Sequence, residues 1–446
     1  MRPKNPREHT APPPAADKPS EGPAPLRRAA QGARAALATL RQVRASDLRG
    51  VAALATQGTL GAARMAEGVH GAVHRSMGMS ARAEPGRTSG ITGAIYQTVH
   101  GVTRLVGAGV QAALHALEPF LGRERPGSSE REALIAALNG VMGDRLAADG
   151  NPLATTLSLR QRGGQPFHLA GLAAAPSGKI LLLVHGLCMN DLQWRRAGHD
   201  HGEALAKALG YTPIYVRYNS GRHTSENGLA LAEALEGLLA QWPVPVEHLD
   251  LLGHSMGGLV LRSSLQYGTA GHHQWRGKVR RAVFLGTPHH GAPLERAGNW
   301  VDVLIGSNPW SRPFTRLAQL RSSGITDLRF GHVQEADWQG RERFRPGRDA
   351  RVPLPLPSDV RFYGVAATFA GARSPQAQRL LGDGLVPLQS ALGEHEDPAR
   401  ALHFPAQQQL VLHGLGHLDL LSDPRVTRKL RQWLGAEEAP APAPGS

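Results

Sequence analysis

Apolar residues change rhythm along the chain. From Leu48 to Val73 they recur mostly in steps of three, four or seven (Leu48, Val51, Ala55, Ala62, Met65, Val69, Val73). The same happens from Ile91 to Leu117 (Ile91, Ile95, Val99, Val102, Val106, Val110, Leu114, Leu117). Such steps line up one face of a helix. The connecting segment 76–90, with Pro85 and Gly86, makes a helical hairpin of the two. A further amphipathic helix is predicted over 129–150, ending at Gly150-Asn151-Pro152. From there short apolar runs take over. They predict strands at Thr155–Arg160, Pro166–Leu169, Ile180–Val184, Pro213–Val216, His248–Leu252, Val279–Leu285, Val360–Val365 and Gln409–Leu412. Helical spacing separates most of the later ones, at Gly202–Leu209, Leu229–Gln241, Met256–Tyr267 and Thr427–Leu434. Ile180–Val184 is apolar at every position, as a strand covered on both faces requires. The alternation predicts an α/β fold, an open and mostly parallel sheet with helices on both faces.

This change of pattern divides the chain. Residues 1–32, dense in proline, and 437–446, an Ala-Pro repeat, read as disordered tails. Residues 33–125 form an N-terminal helical region, and 126–436 the α/β domain. About 292–357 breaks the alternation. It carries Trp300, Val301, Val303, Leu304, Ile305, Trp310, Phe314 and Leu317, and reads as a helical cap or lid inserted over the site. Glycines at 58, 61, 68, 93, 101, 107 and 109 weaken the N-terminal helices by ~1 kcal/mol each, so these helices need a partner surface. Two kinds of surface qualify: each other or the catalytic domain, or a lipid membrane or granule against which the apolar face lies.

The formal net charge is +14 over 446 residues, mostly from arginines spread along the chain. A compositional bias toward arginine and alanine accounts for that charge, and attraction to anionic lipid headgroups also fits it. Nucleic acid is not expected, because no basic patch is interleaved with aromatics. Cys188 is the only cysteine, which excludes an intrachain disulfide and a cysteine-based metal site. Neither a signal peptide nor an apolar run long enough to span a bilayer is visible. The expectation is a cytoplasmic protein, free or peripherally attached to a membrane, with no obligate protein partner.

The chemistry centres on Leu249–Leu261, where Gly253, Ser255 and Gly257 form Gly-x-Ser-x-Gly between a strand and a helix. So sharp a turn strains Ser255 and lifts its hydroxyl out, and side chains two residues away on either side would collide. The Met256 amide, at the helix start, can then face a developing oxyanion. A serine nucleophile needs a base, and the base needs an orienting acid. His417, in a glycine-bracketed loop past the last strand, is the base candidate, with His413 its rival. Asp383, between Gly382 and Gly384, is the acid candidate. Asp250 lies inside the nucleophile strand, and Asp419 and Asp423 read as helix-start caps. The second oxyanion donor is expected from the Leu187 amide, after the strand Ile180–Val184. There His185 shapes the loop and Cys188 packs.

These pieces together resemble the α/β-hydrolase superfamily, in its lipase and esterase branch. They are His185-Gly186, Gly-His-Ser-Met-Gly-Gly at 253–258, Thr287-Pro-His-His-Gly291, Gly382-Asp-Gly-Leu-Val-Pro387 and His417. The Thr-Pro-His-x-Gly piece is similar to bacterial lipases and to the deacylases of glycosylphosphatidylinositol inositol. The resemblance covers 150–435. It implies a carboxylic ester hydrolase acting on an ester or lipid through an acyl-enzyme, with no metal or organic cofactor. The same residues serve acyltransferases, thioesterases and amidases. A non-catalytic scaffold of the same fold is the competing reading.

Overall fold

Ile180–Val184 sits at the middle of a seven-stranded sheet because nothing in it tolerates water. In the computed structural model, which describes residues 50, 52, 53, 129–169, 175–292, 322–341, 349, 351–369 and 382–436, this run belongs to β2 (Lys179–Val184). The other strands are β1 (Ser158–Arg160), β3 (Thr212–Arg217), β4 (His248–His254), β5 (Val279–Leu285), β6 (Arg361–Thr368) and β7 (Gln409–His413). Their spatial order is β1-β3-β2-β4-β5-β6-β7. Only β1 runs antiparallel, against β3; the other pairs are parallel.

Successive side chains of a strand point to opposite faces, and each face has its own core. Ile180, Leu182 and Val184 pack with Leu231 and Leu235 of α3 (Thr224–Ala240) and with Val260 and Leu265 of α4 (Met256–Ala270). Leu181 and Leu183 pack with Leu205 of α2 (His201–Leu209) and with Leu430 and Trp433 of α7 (Pro424–Gly435), the helix that follows the short α6 (Leu388–Ala391). Asp423 starts α7 as its cap, accepting from the Arg425 amide at 2.8 Å. Helices therefore cover both faces, and with this strand order the fold is that of an α/β-hydrolase.

Two predicted features differ or reach further than the pattern suggested. Pro166–Leu169 forms no strand: it makes a single bridge, Pro166 to Arg160. Gly163 and Gly164, at φ +76° and +78°, turn the chain there, and Pro166 has no N–H with which to continue a ladder. The helix at 129–150 is present as α1 (Ser129–Ala148), kinked at Met142. It lies against the loops after β2 and β3. A Cβ on Gly140 would stand 2.2 Å from Cys188 Sγ, and one on Gly221 only 2.1 Å from the Asn139 carbonyl oxygen.

The tails, nearly all of the N-terminal helical region, and 293–321 of the cap lie outside the described residues. Among the described residues, the segment 33–125 meets the α/β domain where the Asn151 side-chain amide donates to the Gly50 carbonyl, 3.0 Å away. No described helix is long and apolar enough to cross a membrane.

Within 292–357, the stretch expected to form a cap, α5 (Ser323–Phe330) packs tightly on the sheet domain. Ser322 Oγ donates to the Gly140 carbonyl at 2.6 Å. The Asp327 carboxylate is fully buried and accepts from the Thr224 amide at 2.7 Å, His223 Nδ1 at 3.0 Å and His332 Nδ1 at 3.1 Å. Trp338 lies flat on His223, with the rings 3.7 Å apart. Burial alone would raise the Asp327 pKa. The two histidine bonds outweigh it and hold the carboxyl below its ordinary value.

Two outcomes follow from this packing. A Cβ on Gly257 would meet the Val184 carbonyl oxygen at 2.2 Å and that of His185 at 2.6 Å, neither of which can yield. Gly257→Ala is expected to cost about 3 kcal/mol of unfolding free energy, read by urea denaturation. For Asp327, the folded pKa lies below the unfolded value of about 4. Its stabilisation is complete above that value and is lost as pH falls through the folded one. The stability gap between wild type and Asp327→Asn is therefore widest near neutral pH and closes in acid.

Candidate active site

β4 ends at His254 and α4 begins at Met256, so a single residue makes the turn. Ser255 holds φ 54° and ψ −125°, a backbone state that costs an L-residue of order 1–3 kcal/mol. Close packing keeps it there. A Cβ on Gly253 would stand 2.7 Å from the Gly258 nitrogen, and one on Gly258 only 2.0 Å from Thr287 Oγ1. The Ser255 amide is tied to the Leu285 carbonyl at 2.8 Å. Its hydroxyl is buried and makes no hydrogen bond among the described residues.

His417 stands at the start of the 3₁₀ turn His417–Leu421, after β7. Its Nδ1 lies 2.7 Å from Asp383 Oδ2, and its amide donates to the Asp383 carbonyl at 3.2 Å. The other carboxylate oxygen, Oδ1, accepts from the Leu385 and Val386 amides at 3.0 and 2.8 Å. Asp383 is thus fixed as an acceptor and sets which His417 nitrogen carries the proton. The His417 ring lies against Gly286, the residue after β5, where a Cβ would be 3.1 Å from it. Ser255 is bonded to Leu285, so serine and histidine flank the same two residues at the end of β5.

The loop after β2 completes the group. A Cβ on Gly186 would come 2.9 Å from Ser255 Cβ, so this loop runs directly beside the serine. The Cys188 amide is taken by Ser220 Oγ at 3.0 Å, and the Met189 amide donates to the Gly186 carbonyl at 3.4 Å. Just ahead of them stands the Leu187 amide. Met256 contributes the first amide of α4, where helix N–H groups lack intrahelical partners. His185 stacks on Tyr218, with ring centroids 4.3 Å apart. Burial pushes its pKa down to about 4, so it is neutral and donates from Nδ1 to the Gly186 carbonyl at 2.9 Å. Cys188 is buried behind the loop.

The rival candidates lie elsewhere. Asp250 is at the opposite end of the sheet, where it accepts from Tyr211 Oη at 2.5 Å, the Arg281 amide at 3.0 Å and Arg281 Nη1 at 3.3 Å. Asp419 accepts from the Gly416 amide at 3.0 Å, and His413 pairs with Thr368 at the end of β7. Among the described residues no cluster of histidine, cysteine and carboxylate could hold a metal ion.

One participant carried no signal beyond its place in the motif. His254 donates from Nε2 to the His417 carbonyl at 3.3 Å, and the two rings are 4.8 Å apart. Burial, with His417 close by, holds it well below the ordinary imidazole range, so it is a neutral donor. In the sequence it is one of 21 histidines, and no local pattern names a partner 163 residues away.

The family model that matches the chain is described as a domain of unknown function, DUF7379, over residues 160–316. No curated protein matches the sequence. Among solved structures, the chain is similar to a lipase of Bacillus licheniformis in its mature form. That match has 19% identity, covers 59% of this chain and 95% of the other, and has a TM-score of 0.37. It is also similar to a gene product of Listeria innocua, at 15% identity, 59% and 96% coverage and TM-score 0.34. A thermophilic esterase from Thermogutta terrifontis matches at 17%, 58% and 90%, with TM-score 0.32. Strand order and the turn at Ser255, not these distant likenesses, carry the fold assignment.

The reactivity of Cys188 checks the packing behind the Leu187 loop. Burial pushes its thiol up to about 12. In native protein at pH 8 the thiol is expected to resist a disulfide reagent, and to react fully once urea unfolds the chain.

Proposed function

We propose that the protein is a serine carboxylic ester hydrolase of lipase or esterase type, with 126–436 as its catalytic domain. The observation that carries the reading is the buried 2.7 Å contact of His417 with Asp383, beside a serine strained at a strand-to-helix turn. Ser255 Oγ attacks the ester carbonyl while His417 Nε2 takes its proton. The tetrahedral oxyanion is held by the Leu187 and Met256 amides, each such donor being worth ~3 kcal/mol of barrier. His417 returns the proton to the leaving alcohol, and the acyl group stays on Ser255. Water then enters, loses a proton to His417 and attacks the acyl-enzyme. The acid is released and the serine restored. Asp383 holds the His417 tautomer and stabilises the imidazolium in both halves. No step requires a metal or an organic cofactor. An ester or lipid is the substrate class, with the cap supplying apolar surface to its acyl chain. The helical region 33–125 would bring the enzyme to a membrane or lipid granule.

Hydrolysis of p-nitrophenyl esters of increasing acyl length, with fluorophosphonate labelling alongside, tests this. Ser255→Ala is expected to lose both turnover and label. Asp383→Asn should keep the fold and lower kcat by a factor of order 10⁴. Folded wild-type protein that neither labels nor turns over any ester would overturn the reading.

A further inference from the structure

His254 is the last residue of β4 and stands immediately before Ser255. It is fully buried, on the sheet face of Leu252, two residues back. Trp194 stands edge-on to its ring, with centroids 6.4 Å apart, and the His417 ring is 4.8 Å away. The loop after β2 closes another side: a Cβ on Gly186 would come 3.3 Å from His254 Nδ1. Among the described residues the ring makes one hydrogen bond, from Nε2 to the His417 carbonyl at 3.3 Å, and Nδ1 is buried with no partner. A buried unpaired nitrogen is unfavourable. An apolar side chain of similar size would leave none, so packing alone does not account for an imidazole here.

Other bonds of the turn that carries His417 run to the far side of the sheet. The Gly414 amide donates to the Thr368 carbonyl at 2.8 Å, and the His417 amide to the Asp383 carbonyl at 3.2 Å. These tie the turn to β6 and to the loop of Asp383. β5 lies between β6 and β4, the strand of the serine. Such bonds therefore fix His417 relative to Asp383 rather than to Ser255.

We propose that His254 is a positioning residue, whose Nε2–H···O bond to the His417 carbonyl sets the distance between the His417 ring and Ser255. The inference rests on the reading of Ser255 as nucleophile and His417 as base. His254 touches no reacting atom. Being the covalent neighbour of Ser255, it carries the position of the serine across β5 and β6 to the turn that bears the base. The bond calls for a neutral ring protonated on Nε2, and burial, with His417 close by, keeps the ring neutral.

Three variants separate positioning from packing. Glutamine brings an amide N–H to the place of Nε2, asparagine falls one carbon short of it, and leucine has no donor. His254→Leu and His254→Asn are expected to lower kcat on a p-nitrophenyl ester about 100-fold, with KM within about twofold, as a reacting group misplaced by ~1 Å does. His254→Gln should return kcat to within about fivefold of wild type, without a higher Tm than the other two. The proton on His417 Nδ1, bonded to a carboxylate, gives a far-downfield NMR line that reports the placement of the ring without any turnover. This line should be sharp in wild type and H254Q, and broadened by exchange with water in H254L and H254N. Equal loss of kcat in all three variants overturns the proposal, as does an unchanged kcat or an unchanged line in H254L. Should H254L not fold, H254Q against H254N decides. If folded wild-type protein neither labels with fluorophosphonate nor turns over any ester, the hydrolase reading falls, and the NMR line alone decides whether His254 places the ring.

Discussion

Everything at the upper end of the sheet depends on how closely α4 approaches the ends of β2 and β5. Its first turn runs against the Val184 and His185 carbonyls and against Thr287, at distances where no Cβ fits. That contact fixes the helix axis, and a fixed helix leaves one residue to make the turn from β4. The strain at Ser255 is the consequence of this close approach. The apolar cores on both faces supply the free energy that sustains it, since a strained φ survives only where the surroundings over-determine it.

The same contact sets the electrostatic character of the site. Close packing leaves the serine hydroxyl buried, and it turns His185, His254 and His289 into neutral groups by desolvation. The Asp383 carboxyl group is met by two backbone amides and one imidazole. Such fixed donors need little reorganisation when charge appears beside them.

Legibility in the sequence followed how local the determining physics is. The strands are runs such as Ile180–Val184, whose burial on both faces is written in consecutive residues. The elbow at Ser255 is likewise legible, because glycines at fixed offsets are a local steric requirement. Asp383 and His417 are recognisable because each stands in a glycine-bracketed loop after a strand, and the structure brings them together. Pro166–Leu169 misled because an apolar run says nothing of a missing N–H at an edge. His254, Asn139, Ser220 and Asp327 stayed silent for another reason. Their partners lie far along the chain, and a polar residue that will be buried looks in sequence like one that will be solvated. Gly140 and Gly143 of α1 carry no local signal either; in the fold they are where Cys188 and Asn219 press in.

The bond between His254 and His417 also has an order in time. A ribosome delivers β2, the Leu187 loop, the elbow and β5 well over a hundred residues before it delivers β7. A chain halted between β6 and β7 contains the five strands β2 to β6 and the elbow serine, yet the ring that stands against Gly286 does not exist. The edge strand and its 3₁₀ turn thus act as the final component of the centre. On the proposed reading, a chain cut before β7 lacks its base, and the His417 ring is the last piece of the centre to be made.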